Sequence, residues 1–221
     1  MTDSANAQHA ASGGGASPKK YYQREFWAKE NLNYARPHHR LEKSARIINK
    51  LARGEKRDLL DVGCGPATLR RLLDSNIHYH GLDIAIQDPA PNLLQANLLE
   101  TPIGFDNKQF DIIVAQGFFE YIGEHQDQKL AEISNILSND GMLMLSYTNF
   151  AHRGRNIHWP FNNIQTMGEF RRSVAQHFRI RRFIPTAHNW NHTEPTRKLI
   201  KAANMHFDVS IPLVSPALAV E

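Results

Sequence analysis

The chain has 221 residues, of which 41% are hydrophobic, 22% charged and 9% aromatic, with a formal net charge of +4. This is ordinary globular composition for one domain plus a tail or small cap, and it excludes a wholly disordered chain, a collagen and a membrane bundle, since no stretch nears the ~20 apolar residues of a bilayer span. The single cysteine, Cys64, excludes an internal disulfide, a multi-cysteine zinc site and CxxC redox chemistry, and points to a reduced, cytoplasmic setting.

Along the chain, residues 1–18 are mostly Ala, Ser and Gly and carry no apolar h-region. They are expected to be a disordered tail, not a secretory signal. The segments YYQREFWAKENLNYAR and HRLEKSARIINKLAR predict two helices punctuated by Pro37, the second with Leu41, Ala45, Ile48 and Leu51 on one face. RDLLDVGCG is then a buried strand running into a tight glycine turn, and PATLRRLLDS a helix. HYHGLDI, NLLQANL and QFDIIVAQ read as the second, third and fourth strands. QKLAEISNILSND reads as a helix, MLMLSYTN as the fifth strand, FRRSVAQHF as a helix, RIRRFIP as a strand, EPTRKLIKAAN as a short helix and FDVSIPLVSPALAVE as a last extended segment. Alternating strands and helices predict an α/β, doubly wound, mostly parallel sheet. Charge follows this division. Residues 18–57 carry 12 Lys+Arg against 4 Asp+Glu, or +8; residues 58–150 carry 4 against 13, or −9; residues 166–201 carry 8 against 2, or +6. Basic flanks around an acidic centre do not make nucleic acid the expected partner, and no membrane is expected either.

The strongest chemical signal is Asp61-Val62-Gly63-Cys64-Gly65-Pro66-Ala67, which ends a strand and opens a helix. Gly63 and Gly65 allow a tight turn and close approach of a ligand to the backbone. Asp83, eighteen residues after Gly65, ends the second strand, where a carboxylate can accept both hydroxyls of a ribose. As a strand-end carboxylate it is expected to carry little packing. Two details argue against a dinucleotide. The third glycine of GxGxxG falls on Thr68, and Asp61 would repel a pyrophosphate but attract a cationic amino-acid moiety.

This stretch resembles motif I of the class I S-adenosylmethionine-dependent methyltransferases. The similarity continues through Gly81-Leu82-Asp83, Gln95-Ala96-Asn97-Leu98, Phe110-Asp111-Ile112-Ile113-Val114, Phe119-Glu120-Tyr121-Ile122 and Leu137 to Leu145. The resemblance implies a Rossmann-like methyltransferase fold with a seven-stranded-type sheet and an N-terminal helical segment. It implies a disordered tail over 1–18, a helical cap over 19–56 and an S-adenosylmethionine-binding methyltransferase domain over 57–221. Gly63, Cys64 and Gly65 then line the methionine half of the cofactor, with Asp61 near its amine. Asp83 binds the ribose, Ile84 packs on the adenine, Asn97 with Leu98 beside it meets the adenine edge, and Gln116 contacts the ligand after the fourth strand. Asn97 also reads as a plain turn residue. Ala67 replaces a glycine of the motif. Only IAIQDPAPN separates Asp83 from the third strand, too short and proline-rich for the usual crossover helix.

The same resemblance leaves the acceptor open. The segment from Tyr147 to Asn163 is longer than an ordinary strand-to-helix connection and carries His152, His158, Trp159 and Phe161. It is expected to border the acceptor, with His152 or His158 as a general base. The aromatic N-terminal segment with Phe26, Trp27 and Tyr34 is a second possible lid. His188 and His192 form an HxxxH, but Pro185 and Pro195 disfavour the helix that would bring them together, and no metal site is expected. Gln116-Gly117-Phe118-Phe119 stands where base-amine methyltransferases carry Asn/Asp-Pro-Pro-aromatic, and Cys64 is committed to the turn. A small-molecule acceptor is therefore expected; the alternatives are methylation of RNA or protein, and a cofactor-binding protein without methyl transfer.

Overall fold

The computed structural model describes residues 23–37, 39–148, 167–186 and 209–216. The tail expected over 1–18, the histidines 152, 158, 188 and 192, and the helix expected over 194–204 lie outside them.

Five short apolar runs form the parallel core of the sheet, because a strand covered on both faces needs apolar side chains at nearly every position. They are β1 (Arg57–Val62), β2 (Ile77–Asp83), β3 (Leu93–Gln95), β4 (Phe110–Ala115) and β5 (Leu137–Leu145). Three further strands, β6 (Tyr147–Thr148), β7 (Phe178–Thr186) and β8 (Val209–Pro216), extend it. The order is β3-β2-β1-β4-β5-β8-β6, with β7 on β8. β8 runs antiparallel to β5, β6 and β7. The order steps outward from β1 in both directions, so a ligand cleft is expected at the carboxyl ends of β1 and β4, where it reverses.

Two helical layers cover this sheet. On one face, α2 (His39–Ala52) presents Ala45, Ile48 and Ala52 to Leu59, Tyr79, Ile112, Val114 and Met144. On the other, α3 (Gln126–Ile136) and α4 (Met167–His177) set Leu130, Ile133, Phe170 and Val174 against Leu60, Val62, Ile113 and Leu145. The Tyr147 and Phe170 rings stack at 3.9 Å and pin α4 down. An N-terminal helix, α1 (Arg24–Tyr34), precedes α2.

Three elements differ from their sequence expectation. A five-residue 3₁₀ turn, Thr68–Leu72, replaces the helix after the glycine turn. Its preceding residue, Ala67, is left-handed at φ 52°, so the helical path begins only at Thr68. β3 is three residues long and pairs with Gly81–Asp83 of β2. β5 begins at Leu137, directly after α3, and bulges early: Leu137 faces Phe110 and Met142 faces Ile112, so the Ser138 to Gly141 segment of β5 is left out of the pairing. The link from β2 to β3 contains no helix, as its length and prolines require. It folds back on itself through an Ala90–Leu93 bridge. Along the outer side of β2, Asp74 O accepts from Ile77 N (3.0 Å), Asn92 Nδ2 donates to Tyr79 O (2.9 Å) and Asn92 O accepts from Gly81 N (2.8 Å).

A buried lysine ties the loop after β3 to α3. Lys129, 1% exposed, donates to Thr101 O at 3.0 Å and to both Glu132 oxygens at 2.9 and 2.8 Å, while Glu132 Oε2 accepts from Ile103 N at 3.0 Å. Lys129→Met leaves the half-buried carboxylate without its counter-charge and is expected to cost about 3 kcal/mol in urea unfolding. A loss below about 1 kcal/mol would show that the loop is held by other contacts.

Candidate functional site

The site is built on the carboxyl end of β1. Asp61 is its penultimate residue, and the chain then turns through Gly63 and Gly65, both left-handed at φ 71° and 54°. Gly63 N and Cys64 N both donate to Leu82 O, at 2.8 and 3.1 Å, so the turn hangs on the end of β2. A side chain at either glycine would be strained by the left-handed backbone and crowded by its neighbour. A methyl at Gly63 would lie 3.3 Å from the Phe118 ring, and one at Gly65 would lie 3.2 Å from Asn31 Oδ1.

Asp83 closes the turn from the other side. Its Oδ2 accepts from Gly65 N at 2.9 Å and its Oδ1 from Ala85 N at 2.8 Å. The expectation that this carboxylate carries little structure is thus corrected: it fastens the glycine turn to the segment after β2. Two N–H donors still leave acceptor capacity on both oxygens. Burial pushes Asp83 above the usual carboxylate range, and the two N–H groups partly offset this. Ile84 follows, half-buried.

Asp61, Gly63, Cys64, Gly65, Asp83 and Ile84 are brought together in this way. Ala96 N donates to Asp83 O at 3.0 Å, which sets Asn97 at the same margin. Asn97 Oδ1 accepts from Leu99 N at 3.2 Å, so the side chain also closes its own turn. Leu98 is 5% exposed and packs into the core with Leu60, Val62 and Leu82. Gln116 turns toward α2, where Nε2 donates to Ser44 Oγ and approaches Met144 Sδ at 3.9 Å. Next to it, Gly117 is left-handed at φ 66°, and among the described residues nothing lies within 4 Å of where its side chain would be. Ser146 Oγ holds the Gly117 N–H at 2.9 Å.

α1 lies over this end of the sheet. Asn31 meets Gly65, Thr68 Oγ1 donates to Tyr34 O at 2.7 Å, and Trp27 packs edge-on against Tyr121 at 4.9 Å. Glu120, after β4, is 2% exposed beneath this cover. Burial pushes the Tyr34 phenol up and the Tyr121 phenol well up. Asn31 and Tyr79 are the residues that the sequence reading passed over. Asn31 carries no local signal, because its contact is thirty-four positions away.

The electrostatics suit a cation. Asp61, 5% exposed, is pushed up to about 7, chiefly by burial, with the Tyr79 hydrogen bond lowering it and Asp83 raising it. Burial, with Asp61 and Asp83 beside it, pushes the Cys64 thiol well up, so it is protonated at neutral pH and is no nucleophile. S-adenosylmethionine fits these residues. The turn offers bare backbone at Gly63 and Gly65, Asp83 offers acceptors for a ribose, and Asp61 offers a counter-charge for an amine.

A separate groove of about 520 Å³ lies toward the amino ends of β1 and β2, lined by Asp58, Arg70, His78, His80, Asn92 and Lys108. It carries both signs of charge, and Lys108 Nζ sits 2.8 Å from Asp58 Oδ1. Among the described residues, no three His, Cys, Asp or Glu side chains stand together to hold a metal ion, and no helix is long and apolar enough to cross a membrane.

The family described as "Methyltransferase domain" matches residues 36–183. No curated protein matches the chain. Many solved structures share its fold. A Haloferax volcanii protein solved in complex with the Trm112 methyltransferase activator is 18% identical and superposes with a TM-score of 0.64, covering 93% of this chain and 100% of that one. A TehB-like SAM-dependent methyltransferase from Corynebacterium glutamicum is 19% identical, with a TM-score of 0.58 over 88% and 98% of the two chains. The N-methyltransferase NodS from Bradyrhizobium japonicum, in complex with S-adenosyl-L-homocysteine, is 11% identical, with a TM-score of 0.58 over 87% and 99%.

Proposed function

Because this chain belongs to the methyltransferase-domain family and is an S-adenosylmethionine-dependent methyltransferase, we propose that its acceptor is a small molecule. The observation that carries this reading is the position of α1. An acceptor must reach the cofactor's sulfonium at the carboxyl ends of β1 and β4, and α1 covers that end through Asn31 and Trp27. A covered, aromatic-walled site admits a small molecule and excludes water, whereas a polymer needs an open track.

When bound, S-adenosylmethionine supplies the electrophilic methyl group. The chain's own residues bind, orient and exclude water. Asp83 receives the ribose hydroxyls, Asp61 pairs with the amine, and Gly63, Cys64 and Gly65 let the methionine half lie on bare backbone. Ile84 packs on the adenine, and Asn97 meets its edge. The Leu98 and Gln116 side chains are engaged by the core and by Ser44, so these two positions contribute main chain. Holding the acceptor in line with the methyl group is most of the catalysis. An alcohol or phenol acceptor must also lose a proton, and His152 or His158 is proposed to take it. A cytoplasmic setting belongs to the same proposal.

The test is calorimetry with S-adenosyl-L-homocysteine, followed by transfer of labelled methyl from S-adenosylmethionine to pooled small alcohols, phenols and amines, to bulk RNA and to unfolded protein. Micromolar binding and label in the small-molecule pool are expected. Label only in RNA, with steep salt dependence, overturns the small-molecule reading. Binding without transfer to any pool points to a cofactor-binding protein.

A further inference from the structure

β1 and β2 run parallel in a register that sets Leu59 beside Tyr79 and Asp61 beside Gly81. Side chains alternate across a strand, so Asp61, Tyr79 and Gly81 share the α2 face of the sheet. The Tyr79 ring leans along this face past position 81, and its hydroxyl donates to Asp61 Oδ2 at 2.8 Å. Glycine at 81 leaves room for the ring beside Cys64 and Leu93. A methyl there would stand 3.3 Å from the Tyr79 ring, 2.8 Å from Cys64 Sγ and 2.9 Å from a Leu93 methyl. Tyr79 and Asp61 are each 5% exposed, so water does not compete for the bond. A buried phenol could satisfy its hydroxyl on a backbone carbonyl. This one instead grips the one acid of the glycine turn that faces the ligand's cationic end.

We infer that Tyr79 is a positioning residue for the cofactor, holding the Asp61 carboxylate in the orientation and charge state that receives the α-amine of S-adenosylmethionine. The inference rests on the reading of Asp61 as the amine's partner. Asp61 pairs with a cation only when ionised. The groups that face it among the described residues are Tyr79 and Asp83 from β2 and Cys64 from the turn, and of these only the Tyr79 hydroxyl favours the anion. Cofactor affinity therefore rises with pH until Asp61 has lost its proton near pH 7 and levels off above. Removing the hydroxyl moves that midpoint up.

The experiment is the Kd of S-adenosyl-L-homocysteine, measured by calorimetry on the full chain between pH 6 and 8.5, for wild type, Tyr79→Phe and Asp61→Asn. Tyr79→Phe keeps the ring and its packing. Its midpoint is expected roughly one pH unit higher, with about tenfold weaker binding at pH 6.5 and near-equal binding at pH 8.5. Asp61→Asn is expected to give a flat profile. A Tyr79→Phe profile that superposes on wild type, or one that is weaker by the same factor at every pH, overturns the inference. Absence of binding by the wild type at any pH instead overturns the cofactor reading beneath it.

Discussion

Asp83→Ala is expected to raise the Kd for S-adenosylmethionine about 30- to 150-fold, equivalent to 2–3 kcal/mol, because the two charge-assisted hydrogen bonds proposed from Asp83 to the ribose are lost. The same change removes the acceptor of Gly65 N and of Ala85 N, which approach at 2.9 and 2.8 Å. The melting temperature therefore falls as well, by roughly 3–6 °C for about 1.5 kcal/mol in a chain of this size. Asp83→Asn separates the two effects. It keeps an acceptor for one of the backbone donors and recovers part of the stability, but it lacks the charge that strengthens both ribose bonds. Titration calorimetry and thermal melts on the three proteins decide the matter. An Ala variant that binds normally removes Asp83 from the cofactor site.

Asp61→Asn is expected to do the reverse to the unliganded fold. The folded carboxyl titrates near 7, against 3.8 for the ordinary group. Between those two values the unfolded chain has released its proton and the folded chain has not, so stability falls as pH rises from about 4 to about 7 and then stays level. The amide does not titrate. The variant should match wild type near pH 4 and exceed it above pH 7 by on the order of 4 kcal/mol, or roughly 10 °C in Tm. Cofactor binding should weaken at the same time, because the amine loses its counter-charge. Thermal melts across this range without ligand test the sign. A variant less stable than wild type at pH 8 would mean that Asp61 is paired with a cation in the free protein. On the proposed role of Asp61, the wild-type carboxylate stores instability that a bound amine would relieve.

Much of the fold was legible because the parallel strands are short apolar runs that end in punctuation. Leu59-Leu60-Asp61-Val62 runs into Gly63, Gly81-Leu82-Asp83 ends in an acid, and Phe110 to Ala115 is apolar at all but one position. The glycine turn and Asp83 were legible for the same reason, since their chemistry is local. Register was not. That Tyr79 lies beside Leu59, and can reach Asp61 across Gly81, depends on how two strands slide past each other, and each strand alone fits several offsets. The turn after Pro66 misled for another local reason. TLRRLL has a helical spacing of leucines, but the left-handed backbone at Ala67 sets the following residues on a tighter path. Gln116 was placed by position along the chain, and its side chain was drawn off by Ser44, seventy-two residues away. The Leu98 side chain was claimed by the core for the same non-local reason.

The bonds along the outer side of β2 carry one more meaning. β3 covers only the last three residues of its neighbour, so the first half of β2 would ordinarily stand as a bare row of donors and acceptors, a template on which a strand from another molecule can form. Here Asp74 and Asn92 already occupy Ile77 N, Tyr79 O and Gly81 N. The short, proline-bearing link that left no room for a crossover helix also supplies the asparagine that blocks this edge. The missing crossover helix and two of the three bonds that block this edge therefore come from the same nine residues, which trade cover on the face for protection against edge-to-edge aggregation.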